Sequence, residues 1–141
     1  MGLSFSGRKA KGSKAERELI HLLWENGFAA MRAAGSGSTR HPSPDIVAGN
    51  GKLFFAIECK AIHAHTKYLD KDEINQLDLF ANSFGARPIV AIRFDNEHWF
   101  FMNITDLKET PKAFGVNYEL AKKKGLTFEE LIGKYRQKRL A

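Results

Sequence analysis

Cys59 is the only cysteine in this chain of 141 residues, which excludes an intrachain disulfide framework and any zinc site built from several cysteines. Long apolar runs are also missing: none approaches the ~18 residues that crossing a bilayer as a helix requires. Met1–Gly12 is small, polar and basic with no apolar stretch, unlike a secretory leader, so the expected location is the cytoplasm. No internal repeat and no low-complexity block interrupts the chain. Acidic residues are the minority, 16 against 22 Lys and Arg, leaving a net charge of +6 and a pI near 9.5. That excess suggests a polyanionic partner. The length suits one compact domain.

Met1–Gly12 reads as a flexible basic arm, loosened by Gly2, Gly7 and Gly12 and charged by Arg8, Lys9 and Lys11. The domain proper is expected over residues 13–141. Ser13-Lys14-Ala15-Glu16 has the spacing of a capping box, and Ala15, Leu19, Leu22 and Leu23 form one apolar helical stripe behind it. Asn26-Gly27 supplies the stop. Phe28 to Ala34 reads as a short strand, followed by a Gly-Ser loop that continues to Pro44. Asp45 to Ala48 and Leu53 to Lys60 read as two strands joined around Asn50-Gly51, a strong hairpin signal. A helix is expected from about Asp72 to Phe84, with Ile74, Leu77, Phe80, Ala81 and Phe84 on one side, Leu79 on the other and Gly85 ending it. Ile89 to Phe94 and Trp99 to Ile104 are two further strands. Thr127-Phe128-Glu129-Glu130 opens a last helix. Helices alternating with runs of strands imply an α/β domain with a central mixed sheet.

The chemistry sits on the hairpin. With Asn50 and Gly51 as the two turn residues, Asp45 faces Ala56, and Glu58 and Lys60 follow on the same face because strand side chains alternate with period two. Phe55, Ile57 and Cys59 point the other way, into apolar packing. Two carboxylates and an amine on a sheet flanked by apolar residues cost free energy unless something compensates. A hard divalent cation would compensate, since oxygen ligands suit Mg²⁺ or Mn²⁺. Such an ion polarises a phosphate, while Lys60 orients or deprotonates water and offsets developing charge. The competing reading is a surface Glu58–Lys60 pair with Asp45 capping a turn, and these three residues alone do not choose between the two.

Pro44-Asp45, twelve intervening residues and Glu58-Cys59-Lys60 together resemble the PD-(D/E)xK motif of restriction-endonuclease-like nucleases. The surroundings sharpen the likeness. Lys11-Gly12, Ala15-Glu16-Arg17-Glu18-Leu19, Gly27-Phe28, Arg32-Ala33-Ala34-Gly35-Ser36 and Asp45-Ile46-Val47-Ala48-Gly49-Asn50 closely resemble the archaeal-type Holliday junction resolvases. The resemblance continues weakly through Leu77, Phe80, Phe84-Gly85 and Pro88, over about the first hundred residues. It implies a homodimer that cuts four-way DNA junctions symmetrically. It also implies that Asp45, Glu58 and Glu16 are metal ligands, that Lys60 is the catalytic lysine, and that Arg17 and Arg32 hold phosphates. By the same resemblance Ser36 lies in a loop that orders on the substrate, with Arg40 further along it and also expected to contact DNA.

Other roles compete at several of these positions. The capping box accounts for Glu16 without a metal, Arg32 suits a solvated strand, and Ser36 suits an ordinary flexible loop. His63 and His65 have HxH spacing but no further Cys or His near them in sequence, which argues against zinc. Phe80 and Phe84 at i, i+4 are most simply core residues, and a dimer surface that includes the off-face Leu79 would suit them too. The basic arm and basic C-terminus are placed to contact phosphates. The other functional readings are a PD-(D/E)xK nuclease acting on duplex or flap DNA, and a non-catalytic junction-binding module.

Overall fold

The computed structural model describes residues 2–33, 41–95 and 97–134, and for residues 2–13 the backbone alone. Helix α1 spans Gly2–Glu25, followed by strands β1 (Ala29–Arg32), β2 (Ile46–Gly49), β3 (Phe54–Ile62) and β4 (Thr66–Asp70). Helix α2 (Lys71–Phe84) leads to β5 (Arg87–Phe94) and β6 (Trp99–Asn103). A 3₁₀ turn (Ile104–Asp106), β7 (Lys108–Glu109), β8 (Ala113–Asn117), α3 (Tyr118–Lys124) and α4 (Phe128–Leu131) complete the order. Five strands form a central sheet in the order β1-β2-β3-β5-β6, mixed because β3 and β5 run parallel while the other pairs are antiparallel. A second sheet, β4-β8-β7, has three strands.

The central strands are apolar on both faces, as covered strands must be. On β5, Ile89 and Ala91 join Leu19 and Leu23 of α1, Phe55 and Ile57 of β3, and Phe128 and Leu131 of α4 in one buried cluster. Val90 and Ile92 turn to the opposite face, where Ile74, Leu77 and Ala81 of α2 pack with Leu69, Phe114 and Val116 of the small sheet. Burying each large apolar side chain contributes about 1.5–3 kcal/mol. The two clusters therefore hold α1 and α2 against opposite faces of β3.

Three sequence expectations are corrected. Helix α1 is continuous from Gly2, so the backbone of the expected arm is helical and Ser13 lies inside the helix instead of capping it. Glu16 is thereby released from the capping role. The hairpin loop takes four residues, not two: Gly49 pairs with Phe54, and Val47, not Asp45, faces Ala56. Asn50 itself causes this. Its side-chain oxygen accepts from the N–H groups of Lys52 (2.9 Å) and Leu53 (2.7 Å), while its own N–H donates to the Leu53 carbonyl (3.1 Å). The register moves by two residues, so every side chain keeps its expected face. The last helix has the expected capping box, with Thr127 and Glu130 exchanging both bonds, yet spans four residues only.

The expected helix to Phe84 is present and ends at Gly85, whose φ of 87° favours glycine. Strand β4, the second sheet and α3 were not expected from the sequence. Packing at the C-terminal end of α3 is tight: a Cβ on Gly125 would stand 2.4 Å from the Ala121 carbonyl oxygen and 3.2 Å from both Met102 Sδ and Phe100 Cβ. Because its φ of −70° suits any residue, space is the constraint. Gly125→Ala is expected to cost about 1–3 kcal/mol. A urea titration reads this as a lower midpoint at unchanged slope, and an unmoved midpoint refutes it.

Candidate active site

The site lies where β2 and β3 meet, between α1 on one face and α2 on the other. Asp45 immediately precedes β2, and three hydrogen bonds fix it. Its N–H donates to the Ile57 carbonyl (3.0 Å), its carbonyl accepts from Ala33 N–H (2.9 Å), and its Oδ2 accepts from Cys59 N–H (2.8 Å). Ile46 is already the register partner of Ile57. Two residues of this strand thus meet one residue of β3, an irregularity of the β-bulge kind that re-aims a side chain. Asp45 is left where its charge acts on both Glu16 and Glu58.

Glu58 and Lys60 are two residues apart on β3, on the face turned to α2, with Lys60 Nζ 3.8 Å from Glu58 Oε2. Glu73, in the first turn of α2, completes the group: its Oε1 is ion-paired with Lys60 Nζ and its carboxylate is hydrogen-bonded to Glu58. Burial, the Glu73 hydrogen bond and the charges of Asp45 and Glu73 push the Glu58 pKa up to about 10, against the opposing effect of Lys60. Burial works against the Lys60 charge, but Glu73, Glu58 and Asp45 outweigh it and raise the lysine pKa. Glu73 moves the other way. Burial opposes its charge, yet hydrogen bonds from Glu58 and Lys60, with the charges of Lys60 and Lys67, lower its pKa. The two shifts run in opposite directions because Glu73, and not Glu58, lies directly against the Lys60 ammonium.

From the other face, Glu16 of α1 binds the Nε of Arg32 on β1. Burial and Asp45 raise the Glu16 pKa, with Arg32 opposing. Cys59 faces the α1 core beside these groups, and burial followed by the charges of Asp45, Glu16 and Glu58 raises its thiol pKa well above the ordinary value. Arg17 is exposed on α1. Among the described residues no three His, Cys, Asp or Glu side chains converge as a ready-made metal cage. The donor set of carboxylate oxygens around Asp45 nevertheless fits a hard divalent ion in its chemistry.

The structure thus brings Glu16, Arg32, Asp45, Glu58 and Lys60 to one place. Ser36 and Arg40 lie outside the described residues, and the side chains of Arg8, Lys9 and Lys11 lie outside the described part of α1. His63 and His65 stand apart from the cluster, bonded to Asp95 (2.5 Å) and Glu119 (2.9 Å).

A sequence model of the archaeal Holliday junction resolvases (Hjc) matches residues 7–140. The chain belongs to this family. The match extends through the C-terminal region, beyond the first hundred residues that the motifs alone suggested. Among relatives, the crossover junction endodeoxyribonuclease Hjc of Archaeoglobus fulgidus is 44% identical over 131 residues, covering 93% of this chain and 96% of the relative. The Hjc of Methanocaldococcus jannaschii is 35% identical over 90% of both chains. The solved structure of Archaeoglobus fulgidus Hjc, a Holliday junction resolvase, superposes with a TM-score of 0.81 at 42% identity, covering 86% of this chain and 98% of that one. The five-stranded mixed sheet flanked by helices is accordingly the α/β nuclease fold that the motifs implied. No helix among the described residues of this resolvase is long and apolar enough to cross a membrane.

Glu73 is the site residue that sequence reading missed. The only signal was an acidic first turn, Asp72-Glu73, which complements any helix dipole. Nothing in the sequence tells that this turn lies over Glu58.

Glu58 also makes stability depend on pH. Its folded pKa is raised above the ordinary 4.5, so its contribution is fully present in acid and is lost as pH rises towards about 10. With chelator present, urea stability is expected to fall between about pH 5 and about pH 9, and Glu58→Gln to flatten that slope. A slope unaltered in Glu58→Gln assigns the dependence to another group.

Proposed function

We propose that this resolvase is a homodimeric, metal-dependent endodeoxyribonuclease that cuts four-way DNA junctions with symmetric nicks, in recombination and repair. The observation that carries the chemistry is the half-buried group Asp45, Glu58 and Lys60 at the β2–β3 junction, with Glu16 facing it from α1. Asp45, Glu58 and Glu16 would hold Mg²⁺, with Mn²⁺ able to substitute. A bound ion supplies Lewis-acid chemistry at the scissile phosphate.

The remaining roles belong to the chain's own side chains. Lys60, whose charge its acidic neighbours favour, would neutralise charge developing on the phosphate. Arg32, paired with Glu16, and Arg17, exposed on α1, would hold the flanking phosphates. Ser36 and Arg40, and Arg8, Lys9 and Lys11, would extend the DNA contact. Phosphate contacts of this kind position the nucleic acid and weaken with salt. The substrate places the protein in the cytoplasm, on the nucleoid.

Two identical sites match the approximate two-fold symmetry of a junction. The apolar surface that supports pairing lies where α2 leaves β1 and β2 uncovered. Met31, Val47, Phe54 and Phe84 line a groove of about 390 Å³ there, together with Trp24. Met31, Phe84 and Trp24 are 63%, 59% and 57% exposed, so large apolar side chains meet solvent together there.

The first test is cleavage of an end-labelled four-way junction beside a linear duplex of the same arm sequence, with Mg²⁺. Paired symmetric nicks in the junction alone, lost in Glu58→Ala by at least about 100-fold, are expected. Cutting of both substrates would favour a general duplex or flap nuclease, and binding without cutting a non-catalytic module. A charge placed in the groove by Phe84→Asp is expected to shift sedimentation towards the monomer. An unchanged dimer moves the interface elsewhere.

A further inference from the structure

Glu73 has a place in the site that neither the nuclease motif nor the charge pattern supplies. It comes from α2, the element that covers the far face of the sheet, and Ile74, beside it, is buried in the core against that face. The backbone carrying Glu73 is thereby held. Its carboxylate meets two partners at once, the Lys60 ammonium through Oε1 and the Glu58 carboxyl. Lys67 on β4 adds a second positive charge that favours the Glu73 carboxylate. Lys60 is a long side chain with four rotatable bonds, and a lysine left to itself samples many rotamers. Among the described residues its other ionic neighbour within 4 Å is Glu58, at 3.8 Å against the much closer Glu73 contact.

We propose that Glu73 is a positioning residue: its carboxylate anchors the Lys60 ammonium so that the amine meets the scissile phosphate from a fixed origin. The inference rests on the nuclease reading of the site above. In this role Glu73 touches neither DNA nor the reacting atoms. It removes rotamers from Lys60 before substrate arrives, and a misplacement of about 1 Å at such a group slows a reaction by up to about 100-fold.

The test compares wild type with Glu73→Ala, Glu73→Gln and Glu73→Asp on a labelled four-way junction under single-turnover conditions. Junction Kd is measured separately in chelator. Glu73→Ala is expected to slow the cutting step by about 10- to 100-fold while Kd stays within about threefold. Glu73→Gln, whose amide oxygen still accepts a hydrogen bond from the ammonium, and Glu73→Asp are expected to recover part of the rate. A second readout needs no metal or DNA. Acetylation of Lys60 by acetic anhydride, followed by mass spectrometry, is expected to run at least about threefold faster in Glu73→Ala than in wild type, because the amine is released.

Cutting within about twofold of wild type, or unchanged Lys60 acetylation, overturns the proposal. So does faster cutting, which would make Glu73 a restraint. If Glu73→Ala does not fold, Glu73→Gln decides by the same two measurements. A wild type that cuts no junction rejects the nuclease reading, whereas a wild type that cuts beside an unaffected Glu73 series rejects this proposal alone.

Discussion

The structure turns on charge held where water is scarce. Strand β3 is a core strand through Phe55, Ala56 and Ile57, all but fully buried. Directly after them it carries Glu58 and then Lys60, half-withdrawn from solvent with Asp45 alongside. Placing carboxyls this close in a low-dielectric surround is costly, and the group answers in two ways. The Glu58 pKa is pushed up, which favours its neutral form, and a salt bridge from α2 holds Lys60. The same crowding makes the place attractive to any added positive charge. A site of this kind is stable enough to exist and unsatisfied enough to bind.

The surrounding architecture can be understood as support for that arrangement. The irregular pairing at Asp45 and Ile46 turns one carboxylate so that groups on both faces of the sheet feel it. Cys59 serves by its backbone, donating to Asp45, while its side chain packs into the α1 core. The lone thiol is thus buried among acidic neighbours, and its raised pKa keeps it in the inert form. Arg32 and Glu16 hold each other across β1 and α1. The chain's net positive charge does not extend into the centre of the site, which is acidic.

What could be read from the sequence was whatever depends on period and local chemistry. The face shared by Glu58 and Lys60 follows from alternation alone, and it survived an error in hairpin register because that error was two residues. Gly85 and the Thr127–Glu130 box were legible because caps are local. The beginning of α1 was not: Ser13 has the chemistry of a cap, but the helix continues through it to Gly2. The second sheet escaped notice because β7 has two residues and β4 shows no alternation of burial, Thr66, Lys67 and Tyr68 being exposed in succession. Glu73 escaped for a different reason. Its partners are set by the crossing of α2 over β3, a tertiary fact with no short-range trace.

Helix α1, the turn into β2, strand β3 and helix α2 each contribute one part of the site, from Glu16 through Asp45, Glu58 and Lys60 to Glu73. Between β3 and its parallel neighbour β5 the chain must complete β4 and α2 before the sheet can close. No contiguous fragment short of this span holds the full set of charges. A chain still emerging from the ribosome, or one that has opened locally, has the residues without their juxtaposition. The cluster of charges is thereby a property of the finished fold and of no shorter piece of it.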